Sequence, residues 1–540
     1  RQKQNDSADY FLGGRDATWL AIGASIFASN IGSEHLIGLA GAGASSGMAM
    51  AHWEIQGWMI LILGWVFVPF YTRSMVYTMP EFLERRYNPQ SRTILSVISL
   101  VSYVLTKVAV TVYAGGLVFQ QVFGIKELWG IDFFWIAAIG LVVLTALYTI
   151  FGGMKSVLYT SVLQTPILLL GSLIILVLGF KELGGWDEMM RVCGAVTVND
   201  YGDTMTNLIR SNDDANFPWL GALIGSAIIG FWYWCTDQFI VQRVLSGKNE
   251  MEARRGTIFG AYLKLLPVFL FLIPGMIAFA LHQKYIGAGG EGFLPMLANG
   301  TANADAAFPT LVAKLLPAGV KGLVVCGILA ALMSSLASLF NSSAMLFTID
   351  FYKRFRPETP EKKLVGIGQV ATVVIVILGI LWIPIMRSVG DVLYTYLQDV
   401  QSVLAPGIAA AFLLGICWKR TSAQGGMWGL IAGMVIGLTR LGAKVYYSNA
   451  GEVADSTFKY LFYDMNWLFF CGWMFLFCII VVIVVSLATK APTAEKIQGL
   501  VFGTATKEQK AATRASWNHW DIIHTVIILA ITGAFYWYFW

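Results

Sequence analysis

Four polar or ionisable residues stand inside otherwise apolar stretches of this chain. Glu54 lies in Ala51-His52-Trp53-Glu54-Ile55-Gln56 and Lys264 in Tyr262-Leu263-Lys264-Leu265-Leu266-Pro267, while Gln398 and Asp399 are neighbours. An ionisable group at a bilayer centre costs about 2.5–3.5 kcal/mol, so each needs a partner or a task. Glu54 and Lys264 either form a structural ion pair, sit near helix ends, or line a polar chamber. A second constellation is Ala331-Leu332-Met333-Ser334-Ser335-Leu336-Ala337-Ser338. Its adjacent hydroxyls, plus the Ala331 carbonyl one turn earlier, offer three oxygens to a hard cation. Carbonyls of Ala28 and Ile31 on an unwound strand would add two more, with no formal charge required. The alternative is serine back-bonding to the preceding turn, or small-residue packing. No nucleophile–base pair and no metal-ligand spacing of His and Cys appears, so the chain does not read as an enzyme.

The elements that must hold these groups are membrane helices. Of 540 residues, 57% are hydrophobic and 13% charged, against about 45–50% and about 25% in soluble domains. Mean hydropathy is +0.65 and aromatics make up 14%. Disordered, collagen-like, coiled-coil and nucleic-acid-binding chains are excluded, and a net charge of +5 says little about partners. A helix rising 1.5 Å per residue needs about 20 apolar residues to span a bilayer. Residues 364–386 and 465–489 are free of charge, and interrupted runs supply the rest. About thirteen helices are predicted, starting near Thr18, Met48, Arg92, Ile131, Ser156, Pro218, Thr257, Val320, Leu364, Val392, Gly425, Met465 and Ile522.

Loop charge orients them. Arg73, Arg85, Arg86 and Arg92, then Lys155, then Arg243, Lys248, Arg254 and Arg255, then the cations of 353–363, then Lys419 and Arg420, then Lys490 to Lys510 fall in alternate loops. Those loops are predicted to face the cytoplasm. The opposite loops, 181–216 and 284–317, are long and outside, and the C-terminus follows outside. Asn299-Gly300-Thr301 is a glycosylation sequon in form only. Arg1 opens the sequence without methionine, which reads as a fragment.

Backbone breaks in lipid survive only around an enclosed cavity. Ala28-Ser29-Asn30-Ile31-Gly32-Ser33-Glu34-His35 is polar at mid-membrane, predicting an unwound joint near 30–32. Gly225 and Gly230 before Phe231-Trp232-Tyr233-Trp234 suggest a matching interruption in the sixth helix. Such a pair marks an inverted-repeat transporter site, unless the glycines merely permit close packing.

Asp9-Tyr10-Phe11-Leu12-Gly13-Gly14-Arg15 resembles the opening of the sodium/solute symporter family. Ser29 to Gly41 is similar to its sodium/glucose cotransporter branch. So are Trp232-Tyr233-Trp234-Cys235-Thr236-Asp237-Gln238 with Val241-Gln242-Arg243, Met333-Ser334-Ser335-Leu336 with Phe340-Asn341-Ser342, and Phe412-Leu413-Leu414-Gly415 with Trp418-Lys419-Arg420. The likeness runs from about Asp9 to Lys490. It implies an all-α, polytopic bundle of the leucine-transporter type. Five helices over 17–181 and five over 217–417 form inverted repeats, with loops at 182–216 and 284–317, a cytoplasmic segment at 1–16 and peripheral helices over 418–540.

The resemblance also implies roles. His35, Glu54, Lys264 and Gln398 would hydrogen-bond sugar hydroxyls, with Asn30 beside the sugar at the helix break. Tyr233 would stack under the ring as inner gate, with Trp234 beside it. Leu39, Trp53 and Tyr394 would form the outer gate. Sodium would be held by the carbonyls of Ala28, Ile31 and Ala331 and the hydroxyls of Ser334 and Ser335. These residue types suit a neutral polyol, since carboxylate accepts, ammonium donates, and amide and imidazole do both. An apolar CH face matches an aromatic plate.

The departures are informative. Members with a second sodium carry an acid after Tyr-Thr in the fifth helix, where Ser161 follows Tyr159-Thr160, and a hydroxyl where Ala337 stands. One sodium per sugar is therefore expected. Gly230 and Gly57 replace polar residues near the sugar, leaving room for a bulkier polyol. The segments around Glu34-His35 and Trp53-Glu54 also resemble the myo-inositol branch. The expected function is sodium-driven uptake of a neutral sugar across the plasma membrane by alternating access. The alternatives are a same-fold symporter for inositol or another solute, and a sugar sensor that does not transport. The expected partners are sugar, sodium and lipid, with no nucleic acid.

Overall fold

The computed structural model describes residues 7–540, apart from Ser33, 298–299, 388–392 and 450–453. Tyr394's side chain and the sequon's Asn299 lie outside the described residues. Among the described residues, ten helices are long and apolar enough to cross a membrane. Two of these stretches double back. Glu34–Ser74, 41 residues long, turns at Gly47, and Phe133–Leu183, 51 residues long, turns at Gly153. Trp19–Asn30 precedes the first of them, and Pro89–Ser102 runs through a wider turn into Ala109–Phe123. Each helix start expected from the sequence falls in or beside a helix of the structure. Gly153 has φ +56, and a Cβ there would sit 2.5 Å from the Tyr10 carbonyl, so the short helix Ser7–Leu12 seats against this turn. Only glycine allows both the backbone angle and the approach.

Among the described residues the first, second and sixth helices are interrupted, and the seventh also leaves helical structure at 265–266, just past Lys264. The first ends at Asn30, Ile31 is extended at ψ 96, and helix resumes as a wide π turn, Glu34–Leu39. The second is distorted just past Glu54, where Ile55 and Gln56 leave helical geometry with ψ 20 and 23. The sixth runs Trp219–Phe231, widens over Trp232–Thr236, breaks at extended Asp237, and continues as Gln238–Leu245.

The sixth-helix break is therefore not at the glycines. Gly225 and Gly230 lie in unbroken helix and serve packing. A Cβ on Gly225 would come within 2.8 Å of Leu468, and one on Gly230 within 2.8 Å of the Gln56 amide carbon. The break forms at Asp237 because tertiary partners take up the freed backbone groups. Tyr71 donates to the Cys235 carbonyl at 2.5 Å, and the Phe239 amide donates to Asp237 Oδ1 at 3.2 Å and the Tyr103 hydroxyl at 3.1 Å. Without such partners each buried group would cost about 1–3 kcal/mol. Small residues also bring the seventh helix onto the first, since a Cβ on Gly256 would meet Ile22 at 2.6 Å.

Candidate functional site

The distortions of the first, second and sixth helices surround one small buried cavity. Asn30, Glu34 and His35 come from the first helix, Trp53, Glu54 and Gln56 from the second, and Ile229, Gly230, Tyr233 and Trp234 from the sixth. Lys264 of the seventh and Gln398 and Gln401 of the tenth close it. All seven residues expected to bind solute are therefore brought together.

Glu54 is the hub. Its Oε2 accepts from Lys264 Nζ at 2.6 Å and lies 3.1 Å from His35 Nε2. Lys264 also donates to Asn30 Oδ1 at 3.2 Å, and Asn30 Nδ2 donates to the Tyr233 hydroxyl at 3.1 Å. The Lys264 ammonium sits 5.4 Å from the centre of the Trp234 ring. A continuous relay thus joins four helices, and the ion pair left open by the sequence is made and faces the cavity. Breaking such a buried pair strands a charge, at about 3–5 kcal/mol.

The relay does not use every polar group. Among the described residues, His35 Nδ1, Trp53 Nε1 and Gln398 Oε1 are buried with no hydrogen-bond partner. Buried polar atoms are rarely left so. The cavity is about 40 Å³, little more than one water's share of liquid volume, about 30 Å³. The chamber is lined by buried groups suited to a guest rich in hydroxyls.

Its roof is aromatic. Trp53 stacks on Trp467 with ring centres 5.6 Å apart, and Phe217 meets its edge at 6.0 Å. Both neighbours were absent from the sequence reading, because they come from the twelfth helix and from the loop before the sixth. His52, one residue earlier, joins the Tyr536 hydroxyl at 2.9 Å and the Leu208 carbonyl at 3.1 Å, tying that loop and the last helix to the roof. Leu39 is fully buried on the π turn and does not line the cavity. Gly57 does not line it either, because a Cβ there would meet the Ala261 carbonyl at 2.8 Å.

Glu34, Gln56 and Gln401 line the cavity and were missed. Gln401 was findable, being three residues after Gln398 on the same helix face. Gln56 was not. At 100° per residue it should point about 200° away from Glu54, and only the distortion at 55–56 turns it inward.

Beyond the Asn30 side, the eighth helix presses on the first break. Ala28, Ile31, Ala331, Ser334 and Ser335 are all buried. Ser335 Oγ donates to the Ser29 carbonyl at 2.9 Å, and a Cβ on Gly32 would lie 2.7 Å from that same hydroxyl. Ser334 Oγ is 3.3 Å from Ser161 Oγ, and Ser29 Oγ is 2.6 Å from Ser338 Oγ. The Ser335 hydroxyl thus meets the first break through the Ser29 carbonyl, while the Ser334 hydroxyl lies beside Ser161. Ser161 also donates to the Val157 carbonyl at 2.6 Å, so it is a neutral group bound to its own helix.

Known proteins resemble this arrangement throughout the chain. Residues 10–433 match the profile of the sodium:solute symporter family. Sodium/myo-inositol cotransporter 2 of Homo sapiens is 36% identical over 517 residues, covering 93% of this chain and 76% of that protein. Sodium/glucose cotransporter 1 of Ovis aries is 39% identical over 499 residues, covering 89% and 74%. A solved sodium-coupled sialic acid symporter, in a substrate-bound outward-open state, superposes with a TM-score of 0.71 at 22% identity, covering 91% of this chain and 94% of that one. MhsT in complex with L-phenylalanine gives a TM-score of 0.50 at 12% identity, covering 88% and 99%. The fold is thus the five-plus-five, leucine-transporter-type bundle with peripheral helices. Its helix breaks, its buried polar chamber and its matched profile agree: the chain belongs to the sodium:solute symporter family, and is a multi-pass, sodium-coupled transporter rather than an enzyme.

Proposed function

We propose that this symporter carries a neutral polyhydroxylated solute of the sugar or cyclic polyol class, with one sodium ion per solute. The observation that carries the reading is the set of unpartnered groups, His35 Nδ1, Trp53 Nε1 and Gln398 Oε1, beside the Glu54–Lys264 relay. They offer the Trp53 indole donor, the Gln398 carbonyl acceptor and a His35 ring nitrogen around a site whose formal charges on Glu54 and Lys264 cancel, which suits hydroxyls better than a carboxylate. Asn30 binds beside the solute, Tyr233 supplies the plate below it, Trp234 backs that plate, and Trp53 with Leu39 and Tyr394 closes the other side.

Sodium sits among the carbonyls of Ala28, Ile31 and Ala331 and the hydroxyls of Ser334 and Ser335. It thereby joins the first helix of one repeat, 17–181, to the eighth of the other, 217–417. An ion that binds better when those helices meet in the solute-accepting arrangement raises solute affinity by linkage. One sodium crossing about 100 mV yields about 2.3 kcal/mol, and a tenfold gradient adds about 1.4 kcal/mol. Together these sustain roughly several-hundred-fold accumulation. The alternation of basic loops supports a plasma-membrane orientation with the C-terminus outside.

The test is uptake of labelled D-glucose and myo-inositol into sealed proteoliposomes, with and without an inward sodium gradient. Gradient-dependent uptake of either supports the reading. Binding without uptake identifies a sensor. Uptake of amino acids alone overturns the solute class.

A further inference from the structure

One polar group on the chamber wall is held by a contact between the second and sixth helices. Gln56 is buried, and its Nε2 donates to the Ser226 carbonyl of the sixth helix at 2.7 Å. That bond fixes which way the amide faces, because only the NH2 end can donate. The amide then lies flat on Gly230. A Cβ at position 230 would run into Gln56 Oε1 and stand 2.8 Å from its Cδ and 3.0 Å from its Nε2. No real side chain tolerates such approaches. Gln56 occupies this seat only because residue 230 is glycine, and it reaches the seat only because Ile55 and Gln56 leave helical geometry. The gap at Gly230 is therefore filled from the second helix and does not enlarge the chamber.

With its NH2 end engaged, the amide rests on Gly230 through Oε1, and Gln56 and Gly230 together line the cavity. Oε1 accepts no hydrogen bond from the described residues. We infer that Gln56, seated on Gly230, is a specificity-determining residue whose Oε1 accepts a hydrogen bond from one hydroxyl of the solute. This rests on the polyol reading above. Solutes bearing a free hydroxyl at that ring position are selected, and those lacking it leave Oε1 unpaired in a buried site. Leaving a buried acceptor unmade lowers transport of the deficient analogue by about tenfold or more.

The experiment is a deoxy scan. Sodium-driven uptake of D-glucose, myo-inositol and their monodeoxy analogues is measured for the wild type, Gln56→Leu, Gly230→Ala and the double variant. The wild type should reject one monodeoxy analogue of its preferred solute by about tenfold. Gln56→Leu should erase that one preference and keep the others. Gly230→Ala, which pushes the amide off its seat, should erase the same preference, and the double variant should be no worse than the singles. Gln56→Glu, which keeps an acceptor, should retain the preference and serves if the leucine variant does not fold. Transport by a wild type whose full deoxy pattern persists in Gln56→Leu, or is lost in Gln56→Glu, overturns the inference alone. A wild type that takes up no polyol overturns the polyol reading, and this inference with it.

Discussion

The breaks in the first and sixth helices are the same backbone device filled in opposite ways. At the first, extended Ile31 is met by neutral hydroxyls, with Ser335 donating to the Ser29 carbonyl at 2.9 Å. At the sixth, extended Asp237 is met by a resident cation. Lys107 Nζ donates to Asp237 Oδ2 at 2.6 Å, with both side chains fully buried, and Tyr103 donates to Oδ1. The rings of Tyr103, Trp232, Tyr233 and Phe239 surround that ammonium, with centres 4.6–5.4 Å away. A covalently tethered cation cannot exchange, so the sixth break is a fixed joint. The first offers oxygens without a charge of their own, which suits an ion that must leave again. Tyr233 lies between the two, touching Asn30 through its hydroxyl at 3.1 Å and Lys107 through its ring.

This contrast can be broken most sharply at the fixed joint. Asp237→Ala or Lys107→Ala strands a buried charge and should cost about 3–5 kcal/mol, read as loss of folded protein in a thermal-stability assay. Replacing both at once by apolar residues of similar size should recover much of that loss. Recovery of nothing would show that the joint needs the charges themselves. Next in size is Glu54→Gln, which leaves Lys264 without its counter-charge. Solute uptake should fall by about a hundredfold, measured at saturating sodium, while the protein still folds.

Smaller effects probe the exchangeable break. Ser335→Ala removes one neutral oxygen and should raise the sodium concentration for half-maximal uptake by about tenfold. The ranking of solutes should not change, and unaltered sodium activation would remove Ser335 from the cation site. The finest test is stoichiometry. Ser161 and Ala337 supply no carboxylate for a second ion, so charge and solute fluxes measured together should stand one to one. A ratio of two would place another cation among these helices.

Much of this was legible because lipid is a strict solvent. Glu54 and Lys264 could not both face hydrocarbon, so cost marked them as groups needing a partner or a task, and the structure chose among the alternatives by pairing them at the cavity. The first break could be read from Asn30, Gly32 and the serines beside them, since these residues weaken a helix locally. The sixth break was misplaced at Gly225 and Gly230, because its cause is not local. Thr236-Asp237 opens where Tyr71 and Tyr103 wait to satisfy it. Trp467 and Phe217, stacked on and against Trp53, lie far away in sequence and carry no spacing signal.

By itself the sequence determined which residue types had to be buried and therefore paired, that the chain is dominated by apolar stretches long enough to span a bilayer, and that the hydroxyls of Ser334 and Ser335 carry no charge. Only the tertiary structure decided that Gln56 turns inward onto Gly230 and that Asp237 takes Lys107 as its permanent ion. Burial costs are properties of each residue and can be read one position at a time. Which group meets which depends on helix distortions stabilised by distant partners, and those exist only once the helices have packed.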